Sequence, residues 1–345
     1  MSEVLSISYE QGHNRMLNIA KKRSTTQTPS FLPIQIDSLR LDKILYFDIY
    51  IHTGKEVVLY RAKSLPFTEK SRAKLMQNSV TTIYISYESR EAYQQYIEEH
   101  LPEILADPKV EETKKAAILY DTSKALVKEL MANPTYSENV RRSQTLVEST
   151  INYILKGRDA FLNLMKITSF DYYTYTHSVN VCTFSISLAR QIGITDKYSL
   201  INLGTGALLH DVGKSKVPER ILNKRTSLNR SEFEIMKKHP SWGSDILRET
   251  DIISEESYYP VLQHHERIDG SGYPLGVDER DLHPFSKIVA VVDVFDALTT
   301  ERVYQPAIGT YPALKMMHGQ EGFFDPALLR EFTVLMGPES PLNKY

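Results

Sequence analysis

Cysteine is nearly absent from this chain of 345 residues, with Cys182 standing alone. No intrachain disulfide and no cysteine-rich zinc site can form, and a reducing cytosol is the expected compartment. Long hydrophobic runs are missing too: no segment approaches the ~18 uninterrupted apolar residues of a membrane span. The opening MSEVLSISYEQGHNR has neither the basic start nor the apolar stretch of a signal peptide. Charge of one sign is also lacking, since 41 lysines and arginines face 43 aspartates and glutamates, a formal net charge of -2. A near-neutral chain exerts no global pull on polymeric nucleic acid or anionic lipid, so a phosphate-bearing ligand has to be held by a local cluster. The expectation is a cytoplasmic protein with no membrane span and no DNA or RNA partner.

What is present falls into two kinds of pattern. Residues 1–30 are polar and read as a flexible lead-in. From Phe31 to about Ser86, β-branched and aromatic runs such as ILYFDIYI (Ile44 to Ile51), EVVLYRA and TTIYISY alternate with polar turns and read as strands, with EKSRAKLMQNSV as a helix between two of them. A small α+β domain over 1–107 is expected, placed as a regulatory module. From Pro108 onward the pattern is amphipathic helix. Residues 108–149 read as a helical connector and 150–345 as an all-α helical-bundle domain.

Five of the ten histidines lie in structured contexts of the helical half: His177, His210, His239, His264 and His265. His177 aligns with Val181, Phe184 and Leu188 on one helical face, a placement that a hydrogen-bonded core histidine also satisfies. His210 and Asp211 stand together at a helix end ahead of Gly213 and Lys214, and a carboxylate buried there requires a cation or donors. His239 precedes Pro240 and reads as the end of a helix begun by Ser231 and Glu234, so capping explains it equally well. Asp293 interrupts the apolar run IVAVV with Asp296 three residues on, open to a salt bridge or to a metal ligand assisted by its neighbour. Together, imidazoles and carboxylates without thiolate suit iron or manganese, with zinc possible. Five histidines and two aspartates exceed the needs of one catalytic ion and fit two ions about 3.5–4 Å apart, an arrangement that cleaves phosphate esters.

The ordered series His177, His210-Asp211-Val212-Gly213-Lys214, His239, His264-His265-Glu266, Asp269-Gly270, Gly272-Tyr273-Pro274 and Asp293 resembles the HD-GYP group of the HD-superfamily metal-dependent phosphohydrolases. The likeness covers about residues 150–335. It implies an all-helical domain that hydrolyses cyclic di-GMP to pGpG, and in many members on to GMP, through a hydroxide bridging two divalent ions. Iron ranks ahead of manganese, with zinc or nickel as further candidates. By the resemblance, His177, His210, Asp211, His239, His264, His265 and Asp293 are the metal ligands, with Asp211 bridging. Asp211 and Lys214 are catalytic, and Lys214, Gly272, Tyr273, Asp296 and Arg302 contact the dinucleotide.

Two departures from the family pattern stand out. Tyr173 occupies the place of a glutamate that holds a third metal in some members, so two metals are expected. RVYQ, from Arg302 to Gln305, replaces the usual RPYR or RPYK and removes one cation. A non-catalytic cyclic di-GMP receptor and a hydrolase of another cyclic nucleotide are the rival expectations. Pairing into a homodimer through the connector or the N-terminal domain is a further one.

Overall fold

The computed structural model describes residues 31–54, 56–167, 174–300 and 307–337, and the chain divides after Tyr96 into two compact units. Tyr173, Arg302 and Gln305 lie outside the described residues, as do residues 1–30.

The first unit contains β1 (Phe31–Gln35), β2 (Lys43–Ile44), β3 (Ile49–Thr53), β4 (Glu56–Arg61), β5 (Pro66–Phe67), α1 (Glu69–Gln77) and β6 (Thr82–Ser86). An antiparallel sheet runs in the order β1-β6-β3-β4, and β2 pairs separately with β5. In β6 the period of two is plain: Ile83 and Ile85 are buried while the residues between them are partly exposed. Thr68 caps α1 by accepting from the amide of Ser71. The run from Ile44 to Ile51, expected as one strand, breaks in two because Tyr46 adopts φ 60°, a left-handed conformation that interrupts extended backbone. Phe47 then packs edge-on against Tyr93 and Tyr96 of α2 (Arg90–Ala106).

The second unit is helical, as expected. Its elements are α3 (Glu112–Ala132), α4 (Ser137–Ile154), α5 (Arg158–Ile167), α6 (Thr174–Gln191), α7 (Lys197–Leu209), α8 (Glu219–Leu222), α9 (Arg230–Met236), α10 (His239–Thr250), α11 (Glu255–Gln263), α12 (Pro284–Thr299), α13 (Thr310–His318) and α14 (Pro326–Met336). α7 lies at the centre, packed on α4, α6 and α11, and α12 packs on α6 and α11. α3 and α4, the stretch read as a connector, pack on α6 and α7 inside this unit.

One buried cluster joins α3, α4, α7, α10 and α11 through Leu130, Val140, Leu209, Leu247, Tyr258 and Val261, together with Val212 and Ile253. Leu209 and Val212 bracket the His210-Asp211 pair, so the core anchors it on both sides. Full burial of such a side chain contributes roughly 1.5–3 kcal/mol.

Two local readings are corrected. The capping box on α9 is Asn229 with Glu232, not Ser231 with Glu234. His239 opens α10 rather than closing a helix: Pro240 sits in its first turn, where the missing amide hydrogen leaves no helical bond unmade.

Candidate metal centre

Helix ends deliver most of the centre. His210 and Asp211 follow the last residue of α7, His239 starts α10 directly after the end of α9, and His264 and His265 follow α11. His177 comes from within α6 and Asp293 from within α12. All except His265 are at least nine-tenths buried, and His265 keeps 19% of its side chain exposed.

Backbone carbonyls of the preceding turns set the histidine tautomers. Nδ1 of His210 donates to the carbonyl of Ala207 at 2.7 Å, and Nδ1 of His239 to that of Met236 at 2.8 Å. Nδ1 of His264 donates to the carbonyls of Pro260 at 2.9 Å and Val261 at 3.1 Å. A carbonyl can only accept, so the proton sits on Nδ1 and each neutral ring turns the lone pair of Nε2 inward. His177 is oriented likewise, with Nδ1 donating to Oδ2 of Asp296 at 2.7 Å.

These lone pairs meet other acceptors. Nε2 of His177 and of His210 are 3.2 Å apart, and so are Nε2 of His239 and of His264. The Asp211 carboxylate spans the two pairs. Its Oδ2 lies 3.7 Å from His177 and 3.4 Å from His210, while Oδ1 lies 3.3 Å from His239 and 3.9 Å from His264. Opposite it, Oδ1 of Asp293 is 3.0 Å from Nε2 of His177 and Oδ2 is 3.6 Å from Nδ1 of His265. Among the described residues, two groups have the spacing to hold an ion: His177, His210 and Asp211, and His239, His264 and His265. Oδ1 of Asp211 is buried and has no hydrogen-bond partner. An unpaired carboxylate oxygen facing imidazole lone pairs in a dry pocket is unfavourable unless a cation lies between them, so the donor set fits divalent metals.

The electrostatics agree. Burial pushes the His264 imidazole well below its ordinary range, helped by the neighbouring His210 and His239, and His265 is depressed by burial and by His264. Both are thereby neutral and able to ligate. For Asp211 burial acts upward, but Lys214 and His210 hold the carboxyl well below the usual range. Asp293 follows the same balance, with His177 and His265 outweighing burial.

Of the remaining expected residues, Lys214, Tyr273 and Asp296 touch this centre, and Arg302 lies outside the described residues. Nζ of Lys214 donates to Oδ2 of Asp211 at 2.6 Å. Tyr273 lays its ring against His265, with centroids 4.7 Å apart, and Phe233 packs edge-on against it. Both carboxylate oxygens of Asp296 are engaged within the protein, Oδ1 accepting from Nδ2 of Asn180 at 2.8 Å and Oδ2 from His177. Gly272 lies against the backbone of Glu266.

Sequence reasoning assigned no role to Glu266, Asn180 or Tyr120. Glu266 is buried and its carboxylate accepts from the amides of Leu275 and Gly276, closing the loop that carries Tyr273. Asn180, three residues after His177 inside an apolar stretch, was detectable as a polar residue on the same helical face. Tyr120, which donates to Oδ1 of Asn180 at 3.1 Å, carries no local signal.

Comparison with known proteins supports the same assignment. Residues 164–328 match the family model described as HD domain. A cyclic di-GMP phosphodiesterase of Pseudomonas aeruginosa is 35% identical over 229 residues, 66% of this chain and 55% of its own length. A 3'3'-cGAMP-specific phosphodiesterase of Vibrio cholerae is 31% identical over 239 residues, 64% of this chain and 48% of its own. The chain thus spans about half the length of these curated relatives. A solved HDG"Y"P protein from Bdellovibrio bacteriovorus, 24% identical, shares the fold with a TM-score of 0.64, covering 89% of this chain and 100% of that one. With this match in place, residues 164–328 form an HD domain, and the ordered series of histidines and aspartates within them is consistent with its HD-GYP group.

Proposed function

We propose that the chain is a metal-dependent phosphodiesterase that hydrolyses cyclic di-GMP to pGpG or GMP. The observation that carries this reading is the Asp211 carboxylate, with one oxygen turned to His177 and His210 and the other to His239 and His264. These residues, with His265 and Asp293, would hold two divalent ions, iron ahead of manganese. Such ions supply Lewis acidity toward phosphate oxygens and a nucleophilic water near neutral pH.

The chain's own side chains do the rest. Lys214 places a positive charge beside Asp211, where charge on a phosphate oxygen develops during in-line displacement, a preorganised electrostatic role. Tyr273 forms a wall next to His265 against which a base or ribose can rest. Asp296 orients His177 instead of meeting the dinucleotide. Arg302, by its place in the motif, is the second cation offered to phosphate.

The test is product analysis on cyclic di-GMP with anaerobically prepared protein and metal quantification, comparing wild type with the double variant His210→Ala plus Asp211→Ala. Expected are about two ions per chain, as the binuclear arrangement requires, linear pGpG or GMP from the wild type, and loss of turnover in the variant. Equal activity in both proteins overturns the proposal, and tight binding without product makes the chain a receptor. Because the Vibrio cholerae relative is named for 3'3'-cGAMP, that dinucleotide belongs in the same assay, and its preferential turnover would reassign the substrate.

A further inference from the structure

We infer that Tyr120 and Asn180 are positioning residues of the metal centre, acting on His177 through Asp296; this rests on the metal-dependent reading above. Four buried side chains form an unbroken series: Oη of Tyr120 donates to Oδ1 of Asn180 at 3.1 Å, and Nδ2 of Asn180 donates to Oδ1 of Asp296 at 2.8 Å. Oδ2 of Asp296 then accepts from Nδ1 of His177 at 2.7 Å. Tyr120 is 4% exposed, Asn180 0%, Asp296 2% and His177 1%, so solvent does not replace any link.

The direction of the series is fixed by what each group can do. A carboxylate only accepts, so the amide nitrogen of Asn180 has to face Asp296. That leaves its oxygen to accept from the Tyr120 hydroxyl. A flipped amide would set oxygen against oxygen. Tyr120 therefore fixes the amide, the amide fixes the carboxylate, and the carboxylate fixes both the tautomer and the ring angle of His177. In a low-dielectric interior such linked bonds reinforce one another, and partners behind a metal-bound imidazole tune its affinity as well as its orientation.

The far end of the series lies on α3, where Lys124 sits over the Tyr120 ring at 4.9 Å. α3 is outside the 164–328 stretch that matches the HD-domain model. The centre is thus held from an element that the family motif does not include. A residue serving only to satisfy a buried polar group would influence folding and leave metal affinity alone. A positioning residue changes affinity in a protein that still folds.

The experiment titrates the metal-free full chain with Mn2+ by calorimetry, for wild type, Tyr120→Phe, Asn180→Ala and Tyr258→Phe. Tyr258→Phe removes another buried tyrosine hydroxyl, one bonded to the carbonyl of Leu247 in the core, and serves as the control. Tyr120→Phe should weaken Mn2+ binding about 10-fold, with Asn180→Ala at least as affected, while Tyr258→Phe matches wild type. With metal saturating, kcat should fall and KM for the dinucleotide stay in place. Wild-type affinity in Tyr120→Phe overturns the inference, and that variant decides the matter if Asn180→Ala fails to fold. Wild-type protein that binds Mn2+ but releases no product from cyclic dinucleotides sinks the phosphodiesterase reading and leaves the affinity comparison standing. No Mn2+ binding by wild type overturns both.

Discussion

Gly213 shows how a single residue sets the spacing of the centre. A Cβ at this position would lie 2.0 Å from the carbonyl oxygen of His239 and 2.5 Å from the amide nitrogen of Gly243, both backbone atoms that cannot swing aside. The segment after Asp211 is consequently pressed against the start of α10, which brings His239 within reach of Asp211. Gly213→Ala should lose about 1–3 kcal/mol of stability, as overpacked cores do. It should also lose metal preferentially from the group of His239, His264 and His265. Urea unfolding and metal stoichiometry check this, and unchanged stoichiometry would separate the two effects. From sequence the glycine stood out only as a neighbour of the His210-Asp211 pair, because a contact with a chain segment 26 residues away leaves no local mark. The seven residues of the candidate centre, by contrast, stand out through the ordered series they form, and Asp293 also as a carboxylate inside an apolar run.

The loop from Glu266 to Gly276 is the element in which motif and mechanics diverge. Gly272 meets the backbone of Glu266 and Arg267, with a virtual Cβ 2.3 Å from the Cα of Glu266, so the loop folds back on its own start. The buried Glu266 carboxylate then ties that start to the amides of Leu275 and Gly276. Glu266→Ala should cost about 1.5–3 kcal/mol for the lost charged hydrogen bonds, with Glu266→Gln costing less because an acceptor oxygen remains. KM for the dinucleotide should rise in the alanine variant as the ring of Tyr273 loosens from His265. Steady-state kinetics of both variants provide the measurement, and identical KM values would confine Glu266 to folding. Helix positions in the C-terminal half were legible from their periodicity, whereas the start of α10 at His239 was not. A proline after a histidine reads the same at the end of one helix as at the beginning of the next.

At the scale of the whole molecule, the buried neutral histidines set a pH dependence. His264 and His265 are depressed well below the ordinary histidine range in the folded chain, so below about pH 6.5 the unfolded chain binds protons that the folded one excludes. Stability of the metal-free protein should fall as pH drops from 7 toward 5, with a slope of at most about 2.7 kcal/mol per pH unit for two such groups. Asp211 and Asp293, depressed as well, add a further loss only below about pH 4, where unfolded carboxylates protonate. Denaturant unfolding of metal-free protein across that range tests the sign; a flat profile would show that the histidines are charged when folded. Saturating metal should raise stability and leave the slope at least as steep, because ligating histidines stay unprotonated in the folded chain while the unfolded chain takes up protons.

One feature of the centre reaches further. His210, His239 and His264 each return Nδ1 to a carbonyl in the turn just before them, three residues back, and carbonyls at helix ends lack intrahelical amide partners. The same rings that would ligate metal therefore also satisfy late carbonyls of α7, α9 and α11, His239 doing so from the first position of α10. A descendant chain that abandoned catalysis would still be under pressure to keep these imidazoles for folding. In comparing such chains, the residues that report whether chemistry survives are the two acids facing them, Asp211 and Asp293, whose buried charge has little use without a cation.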